Sequence, residues 1–191
     1  MMTSFMRRVV PLMILAVGCS DGSGPGDVGD GEFEFTVTGE LDRTVTGDAF
    51  FVVGDGGAGE DGLAIVLSTG EEGFILSRFS TALPTVGTTY NIVNAPDAGP
   101  NDFVLAGFFG SGASFTHLCE SGSASDTGGP VFGSVTFTEA GANLAGTFTT
   151  TVGCLNYSTG AVTDATASGA FDAEEVDESQ TTALGRLRGG R

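Results

Sequence analysis

The chain has 191 residues and a formal net charge of −17, from 7 basic against 24 acidic side chains, with 32 glycines, 15 phenylalanines and no tryptophan. That length suits one domain, and so acidic a surface repels phosphate backbones, which excludes nucleic acid as an expected partner. Every basic residue is an arginine, and three of them (Arg186, Arg188, Arg191) sit at the C-terminal end.

Arg7 and Arg8 precede an apolar run from Val9 to Val17, interrupted by Pro11. The run falls short of the ~20 residues that a membrane-spanning helix needs. Basic residues followed by a short apolar core are the pattern of a secretory signal. The run ends in Leu15-Ala16-Val17-Gly18-Cys19. This stretch resembles the lipobox of bacterial lipoprotein signal peptides, although Ala16 stands where that family most often has Leu. The resemblance implies cleavage after Gly18, a diacylglycerol thioether on Cys19 and acylation of the new N-terminus. Each buried CH₂ contributes roughly 0.8 kcal/mol, so two or three acyl chains hold where one does not. Ser20 after the cysteine implies the outer membrane under the enterobacterial sorting rule. Residues 1–18 are therefore expected to be a signal peptide, and the mature chain to be a cell-envelope protein tied to the membrane through lipid on Cys19. Losing Arg7 and Arg8 leaves five arginines against 24 carboxylates, a net charge of −19. Such a body disfavours lying on anionic lipid, so the lipid and not the protein face is expected to hold the membrane.

Cys119 and Cys154 remain. In an exported, oxidising setting two such cysteines read as a disulfide. Closing a loop of about 35 residues stabilises by roughly 3–4 kcal/mol on the chain-entropy model. Two buried free thiols, or a metal pair with His117 as its one nitrogen ligand, are the alternatives.

Residues 19–31 are rich in Gly, Asp and Ser, the composition of a flexible tether. From Phe33 the period becomes two: Phe33, Phe35 and Val37 alternate with Glu34, Thr36 and Thr38, which predicts a half-buried strand. Thr44 to Val53 follows, ending in the apolar Phe50-Phe51-Val52-Val53. After a glycine and acid loop, Leu63, Ile65 and Leu67 alternate again. The turn Ser68 to Gly73 then returns the chain through Phe74 to Phe79, a predicted hairpin. Thr88 to Val93, the strongly apolar Phe103 to Phe109, Ser114 to Cys119, Val131 to Thr138, Leu144 to Val152, Cys154 to Tyr157 and Ala161 to Phe171 read as further strands. No stretch after the signal keeps helical spacing. The expectation is an all-β domain over residues 32–172, an antiparallel β-sandwich or flattened barrel of about nine or ten strands. The phenylalanines are expected to fill its core. Residues 173–191 turn from acidic to basic without strand alternation and read as a disordered tail.

The C-terminal third contains Gly133-Ser134-Val135-Thr136-Phe137-Thr138, then Leu144-Ala145-Gly146-Thr147-Phe148-Thr149, then Ser168-Gly169-Ala170-Phe171-Asp172. This order is similar to the tail of a broad group of uncharacterised bacterial β-rich lipoproteins. The resemblance covers about 40 residues. It implies all-β architecture and surface lipidation, and brings no activity and no catalytic residues.

Gly56 to Ala64 matches the calcium nonapeptide of parallel β-rolls letter for letter. A lone copy lacks the stacked partner that completes each site. It reads first as a hairpin loop, with Asp55, Glu60 and Asp61 as weak calcium ligands. The string Gly57-x-Gly59-x-x-Gly62 precedes a strand and not a helix, so it lacks the helix N-terminus a dinucleotide site needs. His117 is the only histidine, near Cys119 on a strand, and reads as structural. No cofactor and no catalytic residue is expected. The function expected is a non-enzymatic structural or interaction module, meeting an envelope protein, peptide or glycan through loops or a sheet edge. The alternative is a small-ligand- or calcium-binding β-barrel or sandwich with an apolar cavity. A carboxylate hydrolase is a third class for which no particular residue pair stands out.

Overall fold

The computed structural model describes residues 28–39, 41–55, 61–111, 114–123 and 131–177. Its strands, in chain order, are β1 (Glu32–Thr38), β2 (Arg43–Asp55), β3 (Asp61–Ser68), β4 (Gly73–Arg78), β5 (Thr89–Val93), β6 (Phe103–Ser111), β7 (Ser114–Ser121), β8 (Val131–Ala140), β9 (Asn143–Asn156) and β10 (Val162–Glu175). One turn of 3₁₀-helix, Ala95–Asp97, lies between β5 and β6. The domain is all-β, as the alternating pattern predicts, and its ten strands form one mostly antiparallel sheet that closes in a ring.

The predicted hairpin is present as β3 and β4, with Leu67 opposite Phe74. Its turn is held by Thr69 N–H to the Glu72 carbonyl, by the Ser68 and Thr69 hydroxyls, and by Gly70 at φ +94°. The predicted segments Leu144–Val152 and Cys154–Tyr157 are a single long strand, β9. The last strand passes the expected boundary at Asp172 and runs on through Glu175. Glu174 and Glu175 pair parallel with Phe50 and Phe51, and the Val176 N–H reaches the Phe51 carbonyl. Backbone pairing, which no side-chain pattern announces, carries the sheet past that point.

The ring closes along two routes. Toward one end it runs β1–β2–β3–β4–β6–β7–β9–β10 and back to β1, every contact antiparallel. Toward the other end β5 and β8 replace β7 between β6 and β9, while β10 passes β1 to touch β2 directly. Where β7 yields to β5, buried Ser121 bridges the break. Its hydroxyl donates to the Val93 carbonyl at 2.6 Å and accepts from the Leu105 N–H at 3.2 Å.

Inward positions carry the core. Phe33, Phe35, Phe51, Phe74, Phe103, Phe109, Phe137 and Phe171 are each less than 2% exposed. The Phe35 ring packs on Phe33 at 5.2 Å, Phe74 at 4.7 Å and Phe109 at 6.2 Å between centroids. A second group joins Tyr90, Phe103, Phe137 and Phe171 at 5.6–5.9 Å. Opposite several of these rings the neighbouring strand carries glycine. Phe33 faces Gly47, Phe35 faces Gly169, Phe74 faces Gly107 and Phe137 faces Gly146. A Cβ on Gly107 would stand 2.2 Å from the Phe74 ring, and one on Gly169 2.5 Å from the Phe35 Cβ.

Both sides of this fit are open to measurement by urea unfolding. Phe35→Ala is expected to cost about 3–5 kcal/mol as a cavity. Gly107→Ala is expected to cost about 1–3 kcal/mol as an overpacked site, although it adds a single methyl group. A Gly107→Ala protein as stable as the parent would mean that the ring of Phe74 does not need that gap.

Candidate functional site

The interior offers no obvious chemistry, because phenylalanine side chains from seven of the ten strands, with aliphatic side chains from β3 and β5, meet there. The polar groups that do enter it lie near the ends. At the β7 end, Cys119 and Cys154 face each other across β7 and β9 and are joined as a disulfide, both fully buried. Two strands distant in sequence place them in register, so the expected pairing is present. His117 sits two positions earlier on β7, opposite Asn156. Its Nδ1 lies 3.0 Å from the Thr116 hydroxyl, a structural setting beside the disulfide.

At the other end lies a feature that sequence reasoning passed over. Arg78, at the end of β4, is 4% exposed. Its guanidinium stands 5.4 Å from the Tyr90 ring centroid and 5.6 Å from that of Phe103, within the range of cation–π attraction. It donates to the Ala82 carbonyl. Among the described residues no carboxylate pairs with it; the ion pair seen is Arg43–Glu72 on the surface. The Tyr90 hydroxyl accepts from the Thr85 N–H at 2.8 Å. Burial pushes the Tyr90 phenol up, but the Thr85 N–H and the Arg78 charge outweigh it, and the group ends below its ordinary value. Arg78 thus clamps the segment after β4 over the aromatic end of the core. Strand alternation places Arg78 on the same face as Phe74 and Leu76, a signal that its charge masks in the sequence.

The calcium candidates fall on the β2–β3 hairpin. Asp55 and Asp61 occupy opposed positions at its mouth, and Asp61 is exposed. Glu60 and the rest of the loop between them lie outside the described residues, as does Cys19. The nonapeptide therefore bridges two antiparallel strands, not the turns of a β-roll. Among the described residues no group of three or more His, Cys, Asp or Glu side chains is placed to hold a metal ion.

The outer surface divides into two kinds of face. Across β5, β8, β9, β10, β1 and β2 the register lines up Asn91, Ser134, Thr149, Ser168, Thr36 and Thr44. Some of these hydroxyls pair across strands, as Thr36 with Thr44 at 3.0 Å and Thr89 with Thr136 at 2.9 Å. A shallow depression of about 280 Å³ lies among Ser134, Thr136, Thr147, Thr149 and Ser168. Across β2, β3, β4 and β6 the outward residues are instead apolar: Phe50, Val66 and Ile75 in one row, with Phe108 beside them. They floor a groove of about 440 Å³ whose rim includes Asp48, Glu174 and Val176. The signal for this face was present in sequence. Phe50-Phe51-Val52-Val53 and Phe103 to Phe109 lack polar alternation, so both faces of those strands had to be apolar.

Comparison with family models, with curated proteins and with solved structures returns no match to this chain.

Because the disulfide is wholly buried, a thiol reductant is expected to leave it intact in the native protein and to open it only once the fold loosens. Replacing both cysteines with alanine is expected to lower stability by about 2–5 kcal/mol. Non-reducing electrophoresis along a urea series, with and without reductant, reads both outcomes.

Proposed function

We propose that this chain is a lipid-anchored protein of the bacterial envelope and a non-enzymatic structural or interaction module. The observation that carries this reading is the Leu15-to-Cys19 run after Arg7, Arg8 and a short apolar core. Cleavage before Cys19 and acylation of its sulfur would leave residues 19–31 as the tether. The described part of that tether enters the fold at Gly31, whose carbonyl accepts from the Ala49 N–H. The anchor would thus pull on the start of β1 and leave the ring intact.

The interaction reading is supported by where room remains. The interior is taken up by phenylalanine, so contacts with a partner fall on the outer faces. The ring also closes on itself, which removes the long free edge that strand addition uses. A face-on contact is therefore the mode we favour over the sheet-edge mode that the sequence brought to mind. The serine and threonine hydroxyls of β8, β9, β10 and β1 each donate and accept hydrogen bonds. They suit the hydroxyls of a glycan or the backbone of an extended peptide from another envelope protein.

Intact mass of the protein taken from its native membrane tests the anchor. The expected mass begins at Cys19 and carries acyl chains, and Cys19→Ser is expected to lose the lipid and to release the protein into the soluble fraction. A mass that begins at Met1 or Met6 with no lipid, altered by Cys19→Ser only by the exchange of one sulfur for one oxygen, would remove the basis for the envelope assignment.

A further inference from the structure

One transverse row of outward residues crosses six strands. Glu174, Phe50, Val66, Ile75, Ala106 and Glu120 are successive register partners across β10, β2, β3, β4, β6 and β7. The row is apolar in its middle, with Ile75 at 37% exposure, and an exposed carboxylate closes it at each end. Five strand spacings make it about 24 Å long. Phe108, in the neighbouring row, widens the same apolar floor. An apolar strip of this kind on an acidic body favours an occupant that is apolar in part and basic in part.

Such a sequence leaves the sheet at the rim of this groove. Val176 lines the groove, and the chain continues as Glu178-Ser-Gln-Thr-Thr-Ala183-Leu184-Gly-Arg186-Leu187-Arg188-Gly-Gly-Arg191. This segment holds three of the five arginines left after Arg7 and Arg8, interleaved with Leu184 and Leu187. Arg186 comes ten residues after Val176, a reach of up to about 33 Å. That exceeds the length of the row, so a segment crossing the floor can bring Arg186 and Arg188 to Glu120 with Leu184 above Ile75 and Ala106. The link is intramolecular, so a modest attraction is enough to fill the groove at the high effective concentration a short connection gives.

We propose that the apolar groove across β2, β3, β4 and β6 is a docking surface for residues 178–191 of the same chain, with Leu184 on the floor and Arg186 and Arg188 at Glu120. This stands apart from the lipid anchor and does not require it. Docking covers an apolar face that would otherwise meet solvent.

Limited trypsin digestion of the full chain tests the proposal, followed by mass spectrometry of the Arg186–Leu187 cleavage. When opening is fast, cleavage tracks the population of the undocked form. Ile75→Asp, which spoils the floor, and Glu120→Lys, which reverses the far charge without touching the core, are both expected to speed that cleavage about tenfold or more. Urea unfolding of each variant confirms that the ring itself is intact. Equal cleavage rates in the parent and in a folded Glu120→Lys variant would overturn the proposal. So would protection that rises with protein concentration alongside a dimer in light scattering, because the groove would then belong to a second copy.

Discussion

The structure depends on fitting many aromatic rings inside a closed ring of strands. A phenylalanine is too large to face a second large side chain at every level of so narrow an interior. The fit is made by pairing ring with gap. Phe33, Phe35, Phe74 and Phe137 each face a glycine on the next strand, and at Gly107 and Gly169 even one carbon would collide with the facing residue. The two abundant residue types of this chain are therefore two halves of one device. Each buried Phe contributes roughly 1.5–3 kcal/mol, and the T-shaped contacts that the gaps permit add about 0.5–1.5 kcal/mol per pair.

That packing also explains how the ring closes. β7 serves one end of the barrel wall and β5 with β8 serves the other, so neither end needs a strand of full length. A break of this kind would leave backbone groups of β6 without a ladder partner. Ser121 fills the role at the junction, and its placement inside an apolar core follows from that need. The disulfide one turn of the pleat away, at Cys119, ties β7 to β9 on the same side of the break. The covalent bond thus lies beside the break in the wall.

Much of the wall was legible from period two alone, because a strand with one solvated face must alternate. Phe33 to Thr38 and Leu63 to Leu67 show this, and the Ser68-to-Gly73 turn fixed their order in a hairpin. The disulfide was legible from the cysteine count, which leaves Cys119 and Cys154 as a pair once Cys19 is read as the lipid site. What escaped was set by pairing between distant strands. Nothing local distinguishes Glu174 and Glu175 from a solvated tail, yet Phe50 and Phe51 offer them backbone partners. Alternation itself puts Arg78 on the inward face with Phe74 and Leu76; what the sequence hides is that Tyr90 and Phe103, from other strands, make room for its charge there. The apolar outer face fell between these cases. Its sign, the loss of alternation at Phe50 to Val53 and Phe103 to Phe109, was visible, but runs of that kind describe deeply buried strands equally well.

The two outer faces then bear on the charge of the whole molecule. Strong net negative charge keeps a protein soluble and repels similar copies, which opposes self-association through the apolar side. It also selects what can approach. Such a field opposes an anionic lipid surface or nucleic acid and, in the proposed docking, would favour a basic segment that brings a leucine to the apolar floor. The hydroxyl face carries no comparable field and would choose by hydrogen-bond geometry. Acidity, a lysine-free body and arginines gathered at one terminus are thus connected by a single electrostatic logic. In the lipid-anchored reading proposed above, the same charge that would lift the domain from the membrane favours the basic segment at residues 186–191.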